Sequence, residues 1–249
     1  MNDAMYQEIF RRKSVRRFTA GSLSPEVLKD IEDIIGGVEK IDEDAVVIVR
    51  MLAGEAMISR LDTAVNAPYY LVIYCDNGPR NLVNAGYMLE QIQLALSAKG
   101  LGTCCLHMMV PDDNHATVEG LPYQVTMAVG YAQGSVRRND VSEFDRKPLS
   151  QITNGGPYDE ELEAVRLAPS VTNAQMWYFE QGEQRIRAYH VQNFKGGYTF
   201  FKLHVIGMGL ALCHLKLAGI HTGRFDHFAY EYDEEANHMG NYVQTVCMN

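Results

Sequence analysis

An α+β chain made of two similar halves is predicted by three observations. Apolar residues recur at helical spacing in some stretches, β-branched and aromatic runs fill others, and the order of these two kinds of segment repeats along 249 residues. In the first half, Ser24 is an N-cap and Pro25 falls in the first turn of a helix. Val27, Leu28, Ile31, Ile34 and Ile35 follow at helical spacing, and Gly36 stops the run. Residues 46–51 and 69–74 read as strands. Residues 82–99 read as a helix, with Met88, Ile92, Ala95 and Leu96 on one stripe and Gly100 as its stop. Strands at 104–109 and 125–130 complete this half.

The second half repeats the order. A helix at 160–167 precedes a strand pair within 177–190, and a helix at 201–218 is stopped by Gly219. Gly100-Leu101-Gly102-Thr103 matches Gly219-Ile220-His221-Thr222 in character, and residues 242–247 are the counterpart of the strand at 125–130. Identity between the halves is low, so the duplication rests on element order. The polar stretch 137–157, with Gly155-Gly156-Pro157, reads as the linker, dividing the chain into 1–153 and 154–249.

Composition narrows the function. Hydrophobic residues at 47% suffice for a sizeable core, and charged residues at 21% suit a soluble protein. The net charge of -9, with no long basic stripe, argues against a nucleic-acid partner. The first residues lack a signal-peptide pattern, and the apolar run 205–213, flanked by His204 and His214, is too short to span a bilayer. Five cysteines without a Cys-x-x-Cys pair read as reduced thiols of a cytoplasmic protein.

Two segments carry chemistry. Residues 11–18 hold five cations and a hydroxyl. Arg12, Ser14 and Arg16 alternate and share one side of an extended segment, with Lys13 among them. Two guanidinium forks and a hydroxyl can surround a phosphate monoester. A solvated basic face is the competing reading. The second segment, 168–177, holds Pro169, Ser170, Asn173, Gln175 and the single tryptophan, Trp177. Its amides donate and accept at once, which suits a planar, heteroatom-rich ligand. A plain helix end stopped by Pro169 is the competing reading.

Taken together, these segments resemble the flavin-dependent nitroreductase family. That family opens with an Arg-Arg-Ser-x-Arg-x-Phe-like motif for the FMN phosphate and carries an Ala-Pro-Ser-x-x-Asn-x-Gln-Pro-Trp motif against the flavin ring. Gly100-Leu101-Gly102-Thr103-Cys104-Cys105-Leu106 is similar to the segment lining the isoalloxazine, and Ala128-Val129-Gly130-Tyr131 looks like the strand after it. Asp145-Arg146-Lys147-Pro148-Leu149 is similar to the basic segment that returns to the phosphate. The resemblance covers nearly the whole chain. It implies a nitroreductase-like fold with central, mainly antiparallel sheets flanked by helices. It implies FMN held by Arg12, Lys13, Ser14, Arg16 and Arg146, with Pro169, Ser170, Asn173 and Gln175 meeting the ring or ribityl chain. Cys105, Leu106, His107 and Met108 would line the other face, largely through backbone.

This chain departs from the family in two ways. The Asn-Gln-Trp motif comes after the Arg146 segment instead of a few tens of residues after the basic motif, and Met176 replaces the proline before tryptophan. The family is usually a domain-swapped homodimer, so the altered order implies a rearranged, single-chain pseudo-dimer, monomeric or itself a homodimer. The implied reaction is two-electron transfer from NAD(P)H to a small electron acceptor such as a nitroaromatic or quinone, by a ping-pong route. A flavin-binding carrier or sensor, or a degenerate non-catalytic member, is the alternative.

Other chemistries find less support. His221 and His227, or His204 and His214, are not at zinc-ligand spacing, so no metal is expected. No Gly-x-Ser-x-Gly, Gly-x-Gly-x-x-Gly or Gly-x-x-x-x-Gly-Lys occurs. Cys104 and Cys105 are adjacent, a poor geometry for a disulfide. His107 reads equally as a buried structural histidine or a catalytic one. No catalytic side chain is expected, because the cofactor carries the redox chemistry.

Overall fold

The computed structural model describes residues 2–60, 65–191, 198–231 and 241–249. The chain opens with helix α1 (Asn2–Ile9), then α2 (Pro25–Gly36), β1 (Val47–Ala53), β2 (Met57–Ser59) and β3 (Tyr69–Cys75). The long helix α3 (Pro79–Ala98) leads to β4 (Gly102–Leu106), β5 (Met109–Pro111), β6 (Thr117–Val118) and β7 (Leu121–Gly130). After a stretch with two short 3₁₀ turns come α4 (Asp159–Arg166), β8 (Trp177–Gln181), β9 (Arg185–His190), α5 (Tyr198–His221), β10 (Phe225–Ala229) and β11 (Asn241–Met248).

The two main sheets share one plan. Strand order is β1-β3-β7-β4 in the first, with β6 added to β7, and β10-β11-β9-β8 in the second. Read from the strand after the short helix, both sheets run first, second, fourth, third, and the pairs are antiparallel. β2 and β5 form a separate two-stranded ribbon.

The agreement extends to single residues. Gly86 and Gly209 stand 123 residues apart and mark the crossing of α3 and α5. A Cβ on Gly86 would lie 1.9 Å from the Ile206 carbonyl oxygen, and one on Gly209 would lie 2.0 Å from that of Val83. Only hydrogen at both Cα positions lets the backbones meet so closely. Gly100 and Gly223, again 123 apart, each end their helix with positive φ. The amides of Gly100 and Leu101 donate to Ser97 and Leu96, and those of Gly223 and Arg224 to Ile220 and Gly219, one double cap used twice. Gly223, not Gly219, is therefore the stop of the second long helix. Gly219 lies inside α5, where a Cβ would come 2.9 Å from the Phe225 Cβ.

Both long helices are core elements. In α3 every residue from Leu82 to Ser97 is buried, its polar ones included. Those polar side chains tie a neighbouring loop and α1 to the core, as buried polar groups tend to find partners. Asn84 Oδ1 accepts from the amides of Ile41 and Asp42 at 2.8 and 3.1 Å, and Ser97 donates to Glu8 at 2.7 Å. The segment Phe201–His221 of α5 is long and apolar enough to cross a bilayer by composition, yet 89% of its most apolar window is buried inside the fold. It is longer than the apolar run 205–213 because Phe201, Leu203 and Leu217 extend the core contact past the flanking histidines.

The stretch 137–157 is not a loose linker. Arg137 pairs with Glu8 at 2.7 Å, Phe144 is buried, and Ile152 is fully so. Thr153 bridges to Phe179 of β8, so this end of the stretch is bonded into the second sheet. Part of its polarity serves ion pairs and a cavity wall, while residues 139–143 and 154–157 are exposed.

Candidate functional site

The basic segment is held extended between two partners. Arg12 bridges to Arg137, Ser14 bridges to Thr103 of β4, and the Val15 amide donates to the Thr103 carbonyl at 2.8 Å. The segment thereby forms one wall of a cavity of about 670 Å³, a size suited to a cofactor. Arg12, Lys13, Ser14 and Arg16 line it, together with Cys105, Leu106, His107 and Met108 from β4 and beyond. Arg146, Pro169, Ser170 and Asn173 line it as well. Residues from four distant stretches of sequence therefore converge on one space. Leu89 of α3 and Leu203, Ile206 and Leu210 of α5 supply an apolar floor.

Five cations line this cavity, Arg12, Lys13, Arg16, Arg138 and Arg146, and no carboxylate is among its described lining residues. Arg12 is 2% exposed, and its Nε lies 3.5 Å from Glu90 Oε1. Glu90 also meets His214 Nε2 at 2.9 Å, while His214 Nδ1 donates to the Ala164 carbonyl at 2.8 Å. That buried chain fixes Arg12 against the α3–α5 pair. The Arg138 guanidinium donates to the Arg12 carbonyl and lies over the Phe144 ring, 3.9 Å from its centroid. Burial, with Arg12 and Arg138 alongside, brings the Arg146 pKa down to about 10. Arg138 is lowered too, by burial and then by Arg12. Like charges crowd here, which favours an anion between them.

The loop 170–175 is latched onto the basic segment 145–147. Asn173 Oδ1 accepts from Arg146 Nη1 at 2.7 Å, and its Nδ2 donates to the Asp145 carbonyl at 2.8 Å. Gln175 Oε1 accepts from the Lys147 amide at 2.8 Å, and its Nε2 donates to the Asn173 carbonyl at 2.9 Å. Gln175 is 3% exposed and lies behind the cavity wall, not on its surface. Both ends of its amide are consumed, one by the Lys147 amide and one within the loop, so its place is that of a brace. Thr172, Asn173 and Gln175 all have φ near +50°. Such backbone costs roughly 1–3 kcal/mol per residue and collects at functional sites.

Arg138 and Gln93 are among the lining residues that escape sequence reasoning. Arg138 follows Arg137 within the presumed linker; Arg137 pairs with Glu8, and Arg138 lines the cavity, bonded to the Arg12 carbonyl and lying over Phe144. Gln93 is 1% exposed and donates to Thr103 Oγ1 at 3.0 Å, while its Oε1 has no hydrogen-bond partner among the described residues. A glutamine on a helix buried all round was the available signal. Burial pushes the Cys105 thiol up, so it is no thiolate nucleophile.

Comparison with known proteins settles the family. A family model described as "Putative TM nitroreductase" matches residues 4–219. The chain belongs to this nitroreductase family. Its fold is that of a "putative nitroreductase" of Thermotoga maritima, with a TM-score of 0.66 at 20% identity, covering 98% of this chain and 92% of the other. An FMN-dependent nitroreductase of Clostridium difficile aligns over 57% of this chain and 94% of its own length, at 17% identity and a TM-score of 0.46. An NADPH:FMN oxidoreductase of Vibrio harveyi, complexed with NAD+, aligns over 55% of this chain and 72% of its own length, at 17% identity and a TM-score of 0.45. No curated protein sequence matches the chain.

Proposed function

We propose that this nitroreductase-family chain is an FMN-dependent oxidoreductase. The observation that carries the reading is the make-up of one cavity, five cations together with an apolar floor. That matches a ligand with a terminal phosphate and a broad planar body. The residues fit such a group. Arg12 Nε and Nη1 and Arg146 Nε are buried without hydrogen-bond partners among the described residues, and Gln93 Oε1 is likewise unmet. Unmet N–H groups on buried guanidiniums are costly, and phosphate oxygens would satisfy them.

Bound FMN would supply two-electron redox chemistry, accepting a hydride from NAD(P)H and then reducing an electron-poor acceptor such as a nitroaromatic or quinone in the same cavity. The chain's own residues bind and orient. Arg12, Lys13, Ser14, Arg16, Arg138 and Arg146 would hold the phosphate. Ser170 and Asn173 would face the ribityl chain or ring, with Gln175 bracing their loop. Leu203, Ile206 and Leu210 would exclude water from one side. The halves 1–153 and 154–249 would act as a pseudo-dimer with one flavin per chain, in a cytoplasmic protein.

The test is to purify the full chain, release any flavin by heat and identify it by chromatography. FMN at one per chain, bleached by NADH or NADPH and reoxidised by a quinone, is the expected result. FMN that no nicotinamide bleaches would make the protein a carrier. FAD, or no flavin after reconstitution, overturns the reading.

A further inference from the structure

A second cavity, of about 860 Å³, draws on the same elements with their roles exchanged. In the first cavity, Cys105 and His107 come from the β4 side, and Leu203 and Ile206 from α5. In the second, Phe228 and Tyr230 come from the β10 side, and Arg80 and Val83 from α3. Each of these stands 123 residues from its counterpart. The loop after α4 lines the first cavity at 170–173, and the loop after α2 lines the second at 41–44.

The chemistry, however, is inverted. Asp42, Glu43 and Asp44 line the second cavity, with Arg80 its single described cation. Arg80 meets Asp42 at 3.4 Å and lies over the Tyr230 ring, 4.7 Å from its centroid. Glu43 and Asp44 are exposed at the mouth, and neither makes an ion pair among the described residues. A phosphate would be repelled here.

A separate observation points to a ligand. His190 lines this cavity and is 3% exposed, yet both ring nitrogens lack a hydrogen-bond partner among the described residues. Burial, then His204 nearby, holds its pKa down to about 4, so at neutral pH it offers one N–H and one lone pair. The Phe201 ring lies edge-on at 5.4 Å, and Phe228 and Tyr242 add further aromatic surface.

We propose that the second cavity binds an amphipathic organic cation bearing N–H groups, such as an amidinium, guanidinium or primary ammonium on an apolar body. Glu43 and Asp44 take its charge at the mouth, the aromatic rings pack on its body, and the His190 lone pair accepts one N–H. The site is separate from the flavin cavity and does not depend on the flavin reading.

Benzamidine, benzamide and benzoate share a shape and differ in charge, so calorimetric titration of the full chain with all three isolates the electrostatic part. Benzamidine should bind once per chain, at least tenfold more tightly than benzamide or benzoate. FMN should not displace it. The double variant Glu43→Gln, Asp44→Asn changes only exposed positions, and it should weaken benzamidine tenfold or more. His190→Leu should weaken benzamidine but leave benzyltrimethylammonium, which has no N–H, unchanged. No benzamidine binding at millimolar concentration overturns the proposal. So do equal binding of the three probes, an unaffected double variant, or competition by FMN.

Discussion

Among the described residues, the cavity behind Arg12 is lined by five cations and no carboxylate, whereas the cavity behind Asp42 is lined by three carboxylates and one cation. Both are framed by residues at corresponding positions of the same repeated elements. The scaffold therefore does not dictate what either cavity takes. Sheet order and helix crossing fix where a pocket lies, and a few side chains on loops fix its sign. The two loops show this. Ser170 and Asn173 face the cationic cavity from a backbone with three left-handed residues, while Asp42 and Glu43 hang from an ordinary loop tied to Asn84.

The comparison can be broken at the shared element first. Gly209→Ala would drive a methyl group into the Val83 carbonyl and the Tyr87 amide. Overpacking against backbone should cost about 3 kcal/mol or more, since neither helix can yield without moving both sheets. Urea denaturation should show the loss, and both cavities should lose their ligands together. A variant of unchanged stability would mean the crossing is not as tight as described.

Next comes acidity in the second cavity alone. His190 has a pKa near 4 in the fold, below its ordinary value of about 6.5. The unfolded chain takes up that proton first as pH falls. The associated stability is thus complete above about pH 6.5 and is lost toward pH 4, by about 3 kcal/mol. His190→Leu should flatten much of this slope in chemical denaturation followed across that window. A residual slope should remain from His204, also lowered by burial.

In the first cavity, Arg146→Ala should reduce FMN affinity by about 10- to 100-fold, the effect of losing a charged hydrogen bond worth roughly 1.5–3 kcal/mol. Fluorescence titration with FMN would read it. Arg16→Ala should weaken FMN similarly with no loss of stability, because Arg16 is exposed. Arg146→Ala should also loosen the loop that its guanidinium ties through Asn173 and the Leu167 carbonyl. Affinity unchanged in both variants would place the phosphate elsewhere.

The smallest effect belongs to the strained loop. Thr172 has φ of 50°, is exposed and is β-branched, a combination that its backbone region disfavours. Thr172→Gly should raise stability by about 1 kcal/mol, the relief of strain less the entropy that glycine adds to the unfolded chain. A fall in melting temperature would show that the hydroxyl, which donates to the Val171 carbonyl at 2.8 Å, outweighs the strain.

The sequence by itself determined most of the elements and the basic side chains that line the first cavity. Helical periodicity marked α2 and α3, and Ser24 caps α2 as its residue type predicts, accepting from the Val27 amide at 3.4 Å. Five cations within eight residues of an acidic chain marked a basic wall, because charge density is a local property that sequence displays directly. The short α1 and β10 went unmarked in the sequence. Only the tertiary structure decided which polar groups face a cavity and which face the protein. Gln175 turned inward because the Lys147 amide waited for its carbonyl oxygen. Arg138 lines the cavity with its guanidinium on the Arg12 carbonyl and the Phe144 ring, and the second cavity draws on α3, α5 and β11 together. Each outcome depends on a partner distant in sequence, so local pattern cannot anticipate it. The side chain's destination is set by packing, not by its own identity.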